Sequence, residues 1–319
     1  MMSRIIRFVK DWTLPVAMIT GALIYIVGTE MPFPQEMKSG FLEFVEFIQP
    51  VLLFCMLFVA FCKVKPSELR PHLWHLWLLL IQMGIFCSLT ALLWMYPQTD
   101  WRVIIEGGML ALLCPTATAC AVVTQKLGGD SAATTAYTII INIAVAIMAP
   151  LLLPVAHPQE GLTFLPAFLT IIKKVFPLLI VPLALAWIVR YCMPKFHKAI
   201  LGTKDLAFYM WAVALAFAIT VTCRALVHSN EDLWHVGGIA LATLISCLFQ
   251  FGIGKKIGAH YGMRLEAGQA LGQKNTVFII WLGYTFLSPV TAVAGGFYSI
   301  WHNVINSWQL YQYKKKKLS

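Results

Sequence analysis

Charge is what this chain lacks most. Only 12% of its 319 residues are charged, against 59% hydrophobic; a soluble domain carries about 25% charged residues to cover its surface. Mean hydropathy is +0.75. Extended polar linkers are scarce as well, because apolar runs follow one another almost back to back. A hydrocarbon core of about 30 Å takes about 20 apolar residues per helix, and these runs have that length. The composition excludes an ordinary soluble domain and fits a polytopic helical membrane protein.

Other absences narrow the function. The first apolar stretch continues to Gly28 without a small-residue cleavage site, so it reads as a span and not as a signal peptide. All eight cysteines lie in or at the ends of apolar segments, with no CxxC or Cys/His metal spacing. They read as reduced thiols that pack as small apolar residues, and no metal centre is implied. No HExxH, paired mid-span aspartates or Ser/His pair appears, which speaks against an intramembrane enzyme. Gly128-Gly129-Asp130 reads as a loop.

What is present divides into ten spans, near 12–28, 43–62, 72–95, 102–125, 131–155, 170–191, 205–227, 233–254, 262–287 and 289–310. Breakers separate them, among them Met31-Pro32-Phe33-Pro34, Tyr96-Pro97, Gly128-Gly129-Asp130, His157-Pro158 and Ser288-Pro289. Two spans are themselves interrupted. Cys114-Pro115-Thr116-Ala117-Thr118 breaks the fourth, and Gly272-Gln273-Lys274-Asn275 breaks the ninth. Each is fourth in its set of five, so residues 1–158 and 159–319 form two five-span halves that insert in opposite senses. That is the inverted-repeat arrangement of many secondary carriers, with the site at the interrupted helices. The symmetry rests on hydropathy and breaker position; no strong residue-level repeat is visible.

Charge placement agrees with an even count. Most of the 24 basic residues fall on one side: Arg4, Arg7 and Lys10, then Lys63, Lys65, Arg70 and Lys126. Arg190, Lys195, Lys198, Lys204, Lys255, Lys256, Arg264 and the closing Lys314–Lys317 join them. Glu30, Glu36, Asp100, Glu160, Glu231 and Asp232 fall on the other. The positive-inside rule makes both termini cytoplasmic, and the expected location is a bacterial inner membrane. The net charge of +10 reflects topology and lipid contact, not nucleic acid. Trp12, Trp101, Trp234, Tyr191 and Tyr311 read as interfacial anchors.

At the first break, Pro115 removes a backbone donor and disfavours helix at Cys114. Thr116, Thr118, Thr134, Thr135 and Thr138 put hydroxyls nearby. Freed carbonyls there suit a cation, and half-helix N-termini suit an anion. A plain proline kink satisfied by threonines is the bland alternative. Lys274 has a weaker one. A mid-span lysine costs about 2.5–3.5 kcal/mol on insertion scales. About twelve residues, ~18 Å of helix, separate it from either edge, too far to snorkel. No acidic residue sits mid-membrane: Glu43, Glu46 and Glu106 lie near the outer face and Glu266 near the inner one. The counter-charge is therefore carbonyl dipoles or an anion brought by the substrate. Gln82 and Asn142 are interhelical hydrogen-bonders or site residues; His302, Asn303 and Asn306 read as packing glue.

These features carry a resemblance. Cys114-Pro115 with the hydroxyl-rich stretch after it, the Gly129-Asp130 turn, Thr134 and Thr138 resemble the fourth and fifth spans of the bile acid:sodium symporter family. Arg264 to Asn275 is similar to that family's broken ninth span. The resemblance implies an all-α ten-helix fold. Broken helices 4 and 9 would cross in a core domain, with spans 1 and 6 and their neighbours in a panel domain, both domains drawing on both halves. It implies alternating-access transport of bile acids or other organic anions, often with sodium.

Departures from the family's pattern fall on its sodium ligands. Cys120 and Ala121 stand where a Ser-Asn pair is expected, Ala270 where a glutamate is, and Lys274 where a glutamine is; Thr134, Thr138 and Asn275 are kept. Glu266, one turn from Ala270, stands in only if the alignment slips by a turn. Such a site should hold a hard, oxygen-seeking cation poorly. The expectation is a sodium-independent organic-anion carrier in which Lys274 supplies the charge that sodium brings in relatives. It would be a facilitator or proton-coupled through Lys274, with Gln273 and Asn275 beside it in the site and no cofactor. The alternatives are a sodium-coupled symporter of a bile-acid-like or carboxylate substrate, and a lysine Schiff-base photosensor or pump.

Overall fold

The computed structural model describes residues 13–159, 161–203, 206–228 and 232–318. Arg4, Arg7, Lys10, Trp12, Glu160, Lys204 and Glu231 lie outside them. Thirteen helices and no strands occur among the described residues: α1 Thr13–Glu30, α2 Gln35–Cys62, α3 Leu73–Met95, α4 Arg102–Leu113, α5 Cys120–Lys126, α6 Ser131–Ala156, α7 Phe164–Cys192, α8 Pro194–Gly202, α9 Leu206–Val227, α10 Leu233–Ala259, α11 Arg264–Gly272, α12 Thr276–Phe286 and α13 Val293–Leu318. Helices α2, α3, α6, α7, α9 and α10 are long and apolar enough to cross a bilayer. Large apolar side chains such as Phe47 and Trp94, each 68% exposed, are tolerable on surfaces that face acyl chains.

The expected fourth and ninth spans are each two helices, α4 with α5 and α11 with α12. The short α8 was not anticipated; it begins at Pro194, where a missing N–H costs nothing at a first helical turn. Trp101 and Trp234 meet edge to face with centroids 5.6 Å apart, and Tyr191 and Tyr311 are exposed, as suits interfacial anchors.

Two packing groups emerge, joined by α6 against α7. Helix α1 packs on α9, and α2 packs on α7 and α9, while α10 packs on α4, α11 and α13, and α3 on α4 and α6. Helices α10 and α11 pack closely. A Cβ on Gly254 would lie 2.6 Å from Ala267 O, one on Gly258 2.3 Å from Met263 O, and one on Gly272 2.4 Å from Phe251. Gly254 faces Ala267 and Gly268, Gly258 faces Met263 and Ala267, and Gly272 lies under the Phe251 ring; small residues at these points let the backbones approach. That contact fixes the end of α11, and so the second break, against α10.

Candidate functional site

Both breaks have local causes. Cys114 is extended (φ −56°, ψ 138°) because the following proline disfavours helix, and α4 stops one residue earlier. Gln273 is extended (φ −87°, ψ 111°) after Gly272. The Asn275 side chain then accepts from Phe278 N at 3.2 Å and caps α12.

The interruptions pair with each other. Thr116 and Lys274 form an antiparallel bridge: Ala117 N donates to Gln273 O at 2.9 Å, and Asn275 N donates to Pro115 O at 3.0 Å. Side chains reinforce the contact. Thr116 Oγ1 donates to Ala270 O at 2.6 Å, and the Cys114 thiol lies 3.0 Å from Asn275 O. Non-helical backbone at membrane depth is tolerated only where protein or a cavity satisfies it; here each break satisfies the other.

Two glutamine–tyrosine pairs complete the satisfaction. Gln82 of α3 donates from Nε2 to Leu112 O (2.7 Å), Leu113 O (3.3 Å) and Cys114 O (3.1 Å), and its Oε1 accepts from Tyr137 of α6 at 3.0 Å. Gln250 of α10 donates to Ala111 O at 3.2 Å and to Tyr298 Oη of α13 at 3.1 Å. Tyr298 Oη in turn donates to Gly272 O at 2.9 Å. Carbonyls that the sequence offers to a cation are thus met by side-chain amides and a phenol. Gln250, Tyr137 and Tyr298 escape the sequence reading; the available signal was that Gln250, like Gln82, is an amide inside an apolar span.

Lys274 is fully buried at this crossing. Its Nζ has no hydrogen-bond partner among the described residues, and its electrostatic neighbours are the thiols of Cys114, Cys247 and Cys120. Cys120, at the start of α5, is therefore an electrostatic neighbour of the Lys274 amine. Ala270 contributes only its carbonyl, to Thr116, and Ala121 is half-buried.

The other expected site residues turn inward on their own helix. Thr134 and Thr135 donate to Ser131 O at 2.9 and 2.7 Å, Thr138 to Thr134 O at 3.0 Å, and Asn142 Nδ2 to Thr138 O at 2.6 Å. Thr118 is half-buried in the first break. Glu266 is tied to the turn before α6. Its Oε1 accepts from Asp130 N at 2.8 Å, and Asp130 caps α6 by accepting from Ala132 N and Ala133 N. Gln273 Nε2 donates to Gln269 Oε1.

Glu106 sits near the start of α4. It is 1% exposed, paired with Arg102 Nε at 3.0 Å and His157 Nδ1 at 2.8 Å, and accepts from Thr291 Oγ1 at 3.2 Å. It fastens α4 to the end of α6 and to the loop before α13, away from the crossing.

The crossing of two interrupted helices, which the sequence placed by breaker position, agrees with a comparison at family level. The model of the Sodium Bile acid symporter family matches residues 50–230. The chain belongs to that family. No curated protein matches it. The match spans the first break and α6 and stops before the second break. With the apolar helices, membership makes the chain a multi-pass integral membrane protein of a transporter family, and not of an enzyme family. The hydroxyls of Thr134 and Thr138 donate within their own helix.

Proposed function

We propose that this chain is a secondary transporter of a small or amphipathic organic anion, working by alternating access without sodium, with Lys274 in place of the coupling cation. The observation that carries this reading is the Lys274 amine, buried and unpartnered beside Cys120 at the crossing. An unpaired buried ammonium costs several kcal/mol, so its charged form calls for an anion, and the substrate supplies one. Transport is then facilitated, or coupled to a proton carried on Lys274.

Ten spans in two inverted halves are part of this proposal, with both termini cytoplasmic in a bacterial inner membrane. Gln82–Tyr137 and Gln250–Tyr298 support the inversion. One pair joins the third and fifth spans to the first break, the other the eighth and tenth spans to the second. The grouping of α1, α2, α7 and α9 supports a panel that moves against a core holding both breaks.

The test is a thermal-shift screen of detergent-purified protein against organic anions, including bile acids and simple carboxylates, each in sodium and in potassium buffer. Stabilisation by an anion, equal in both salts, is expected. Stabilisation only in sodium would favour the sodium-coupled reading and would mean that the kept hydroxyls of Thr134 and Thr138 turn to the ion.

A further inference from the structure

A polar face runs down α13 where that helix packs against its neighbours. Ser299, His302, Asn306 and Gln309 recur at spacings of three, four and three, one face of a helix, and each is less than a tenth exposed. Packed polar residues act as glue between membrane helices when each finds a partner across the contact. These do not. Ser299 Oγ, His302 Nδ1, Asn306 Oδ1 and Gln309 Nε2 are buried without a hydrogen-bond partner among the described residues. Neighbouring Asn303 serves its own helix, donating to Ser299 O at 2.7 Å.

The Gln309 end of this face leads in two directions. Gln269 Nε2 donates to Gln309 Oε1 at 3.3 Å, and Gln273 Nε2 donates to Gln269 Oε1. The three amides form a relay from α13 to the residue preceding Lys274. The same end borders an open cleft of about 240 Å³, lined by Leu127, Leu265, Gln309, Gln312, Tyr313 and Lys316. Gln309 belongs to both. Ser299 and Gln309 lie about 15 Å apart along the axis, half of a ~30 Å hydrocarbon core.

Buried polar atoms without protein partners are satisfied by water, each molecule making about three hydrogen bonds. We propose that the Ser299–His302–Asn306–Gln309 face is a hydrated file. Water enters through the cleft beside Tyr313 and reaches the second break at Gln273. The file gives the crossing a route for water and protons to the membrane face that carries Lys314–Lys316. Its use for proton exchange at Lys274 rests on the function proposed above; the file itself does not.

Accessibility tests it without any substrate. Single cysteines replace Gln312, Gln309 and Asn306, and Val304 on the outward face (60% exposed), in protein reconstituted into nanodiscs. They are treated with the impermeant thiosulfonate MTSET, and modified positions are located by mass spectrometry with the native cysteines retained. Modification at Gln312→Cys, Gln309→Cys and Asn306→Cys is expected, slowing with depth. Val304→Cys should react at least about 100-fold more slowly than Gln312→Cys, because its thiolate does not form in hydrocarbon. Reaction at Gln312→Cys with Gln309→Cys and Asn306→Cys as slow as Val304→Cys overturns the proposal. Hydroxyl-radical footprinting of the unaltered protein gives a second measurement. Oxidation of His302 with protection of Tyr137, which is fully buried on another helix, is expected; equal protection of both contradicts the file. Neither readout depends on transport, so failure of the functional reading leaves it interpretable.

Discussion

Thr116 and Lys274, 158 positions apart in the chain, face each other as partners of an antiparallel bridge. Each lies in the middle of an interruption that would leave backbone groups unsatisfied in hydrocarbon. The pairing turns two local defects into one joint, and holds the lysine at a point that both halves of the chain define.

The Thr116 hydroxyl is part of that joint, donating to Ala270 O at 2.6 Å. Thr116→Val keeps the shape and removes the donor. It should destabilise the detergent-purified protein by about 0.5–1.5 kcal/mol, the range of a hydrogen bond lost between membrane helices. Thr116→Ser should restore most of it. Thermal denaturation of the three proteins checks the order.

Gln82 should matter more than its tyrosine. Gln82→Leu strips donors from the carbonyls of Leu112, Leu113 and Cys114, whereas Tyr137→Phe removes one bond, to Gln82 Oε1. Expected losses are about 2–3 kcal/mol and about 1 kcal/mol. The double variant should fall short of the sum by about 0.5 kcal/mol or more, because the two residues share one network. Additive losses would show that they act separately.

Glu106→Gln tests the charged cluster far from Lys274. Breaking a buried pair leaves the other charge uncompensated, at about 3–5 kcal/mol. Arg102 and His157 are 22% and 24% exposed, so we expect a loss nearer 2 kcal/mol. Arg102 keeps its bonds to Pro97 O and Ala156 O, which limits the damage. Anion-induced stabilisation should survive in Glu106→Gln if the cluster is structural.

Apolar runs and the two breakers were legible in the sequence because hydrocarbon imposes length and Pro115 and Gly272 act locally. Lys274 stood out because a mid-span ammonium is costly wherever it lies. What covers the freed carbonyls was not legible, since Gln82 and Gln250 reach them from helices distant in sequence. The burial of Glu106 was not legible, because it depends on Arg102, His157 and Thr291 converging from three elements. Glu266 looked like a spare sodium ligand in one dimension. In three it holds the turn before α6.

That turn has no room for a side chain. A Cβ at Gly129 would lie 2.8 Å from Glu266 Oε1, 2.9 Å from Leu265 Cδ2 and 2.9 Å from Thr124 Cγ2. Gly129→Ala should displace the carboxylate and cost about 1–3 kcal/mol, the usual range for overpacking. Glu266→Gln, which keeps an acceptor for Asp130 N, should cost less. The melting temperatures of the two variants decide it.

The most direct test of the central claim is binding of a stabilising organic anion to wild type and to Lys274→Gln, measured by thermal shift in sodium and in potassium. The account predicts equal stabilisation of wild type in both salts, and loss of most of it in Lys274→Gln in potassium. Sodium should restore some of the loss, because the amide leaves room for a cation. Undiminished, salt-independent stabilisation of Lys274→Gln would contradict the claim that Lys274 stands in for the coupling ion.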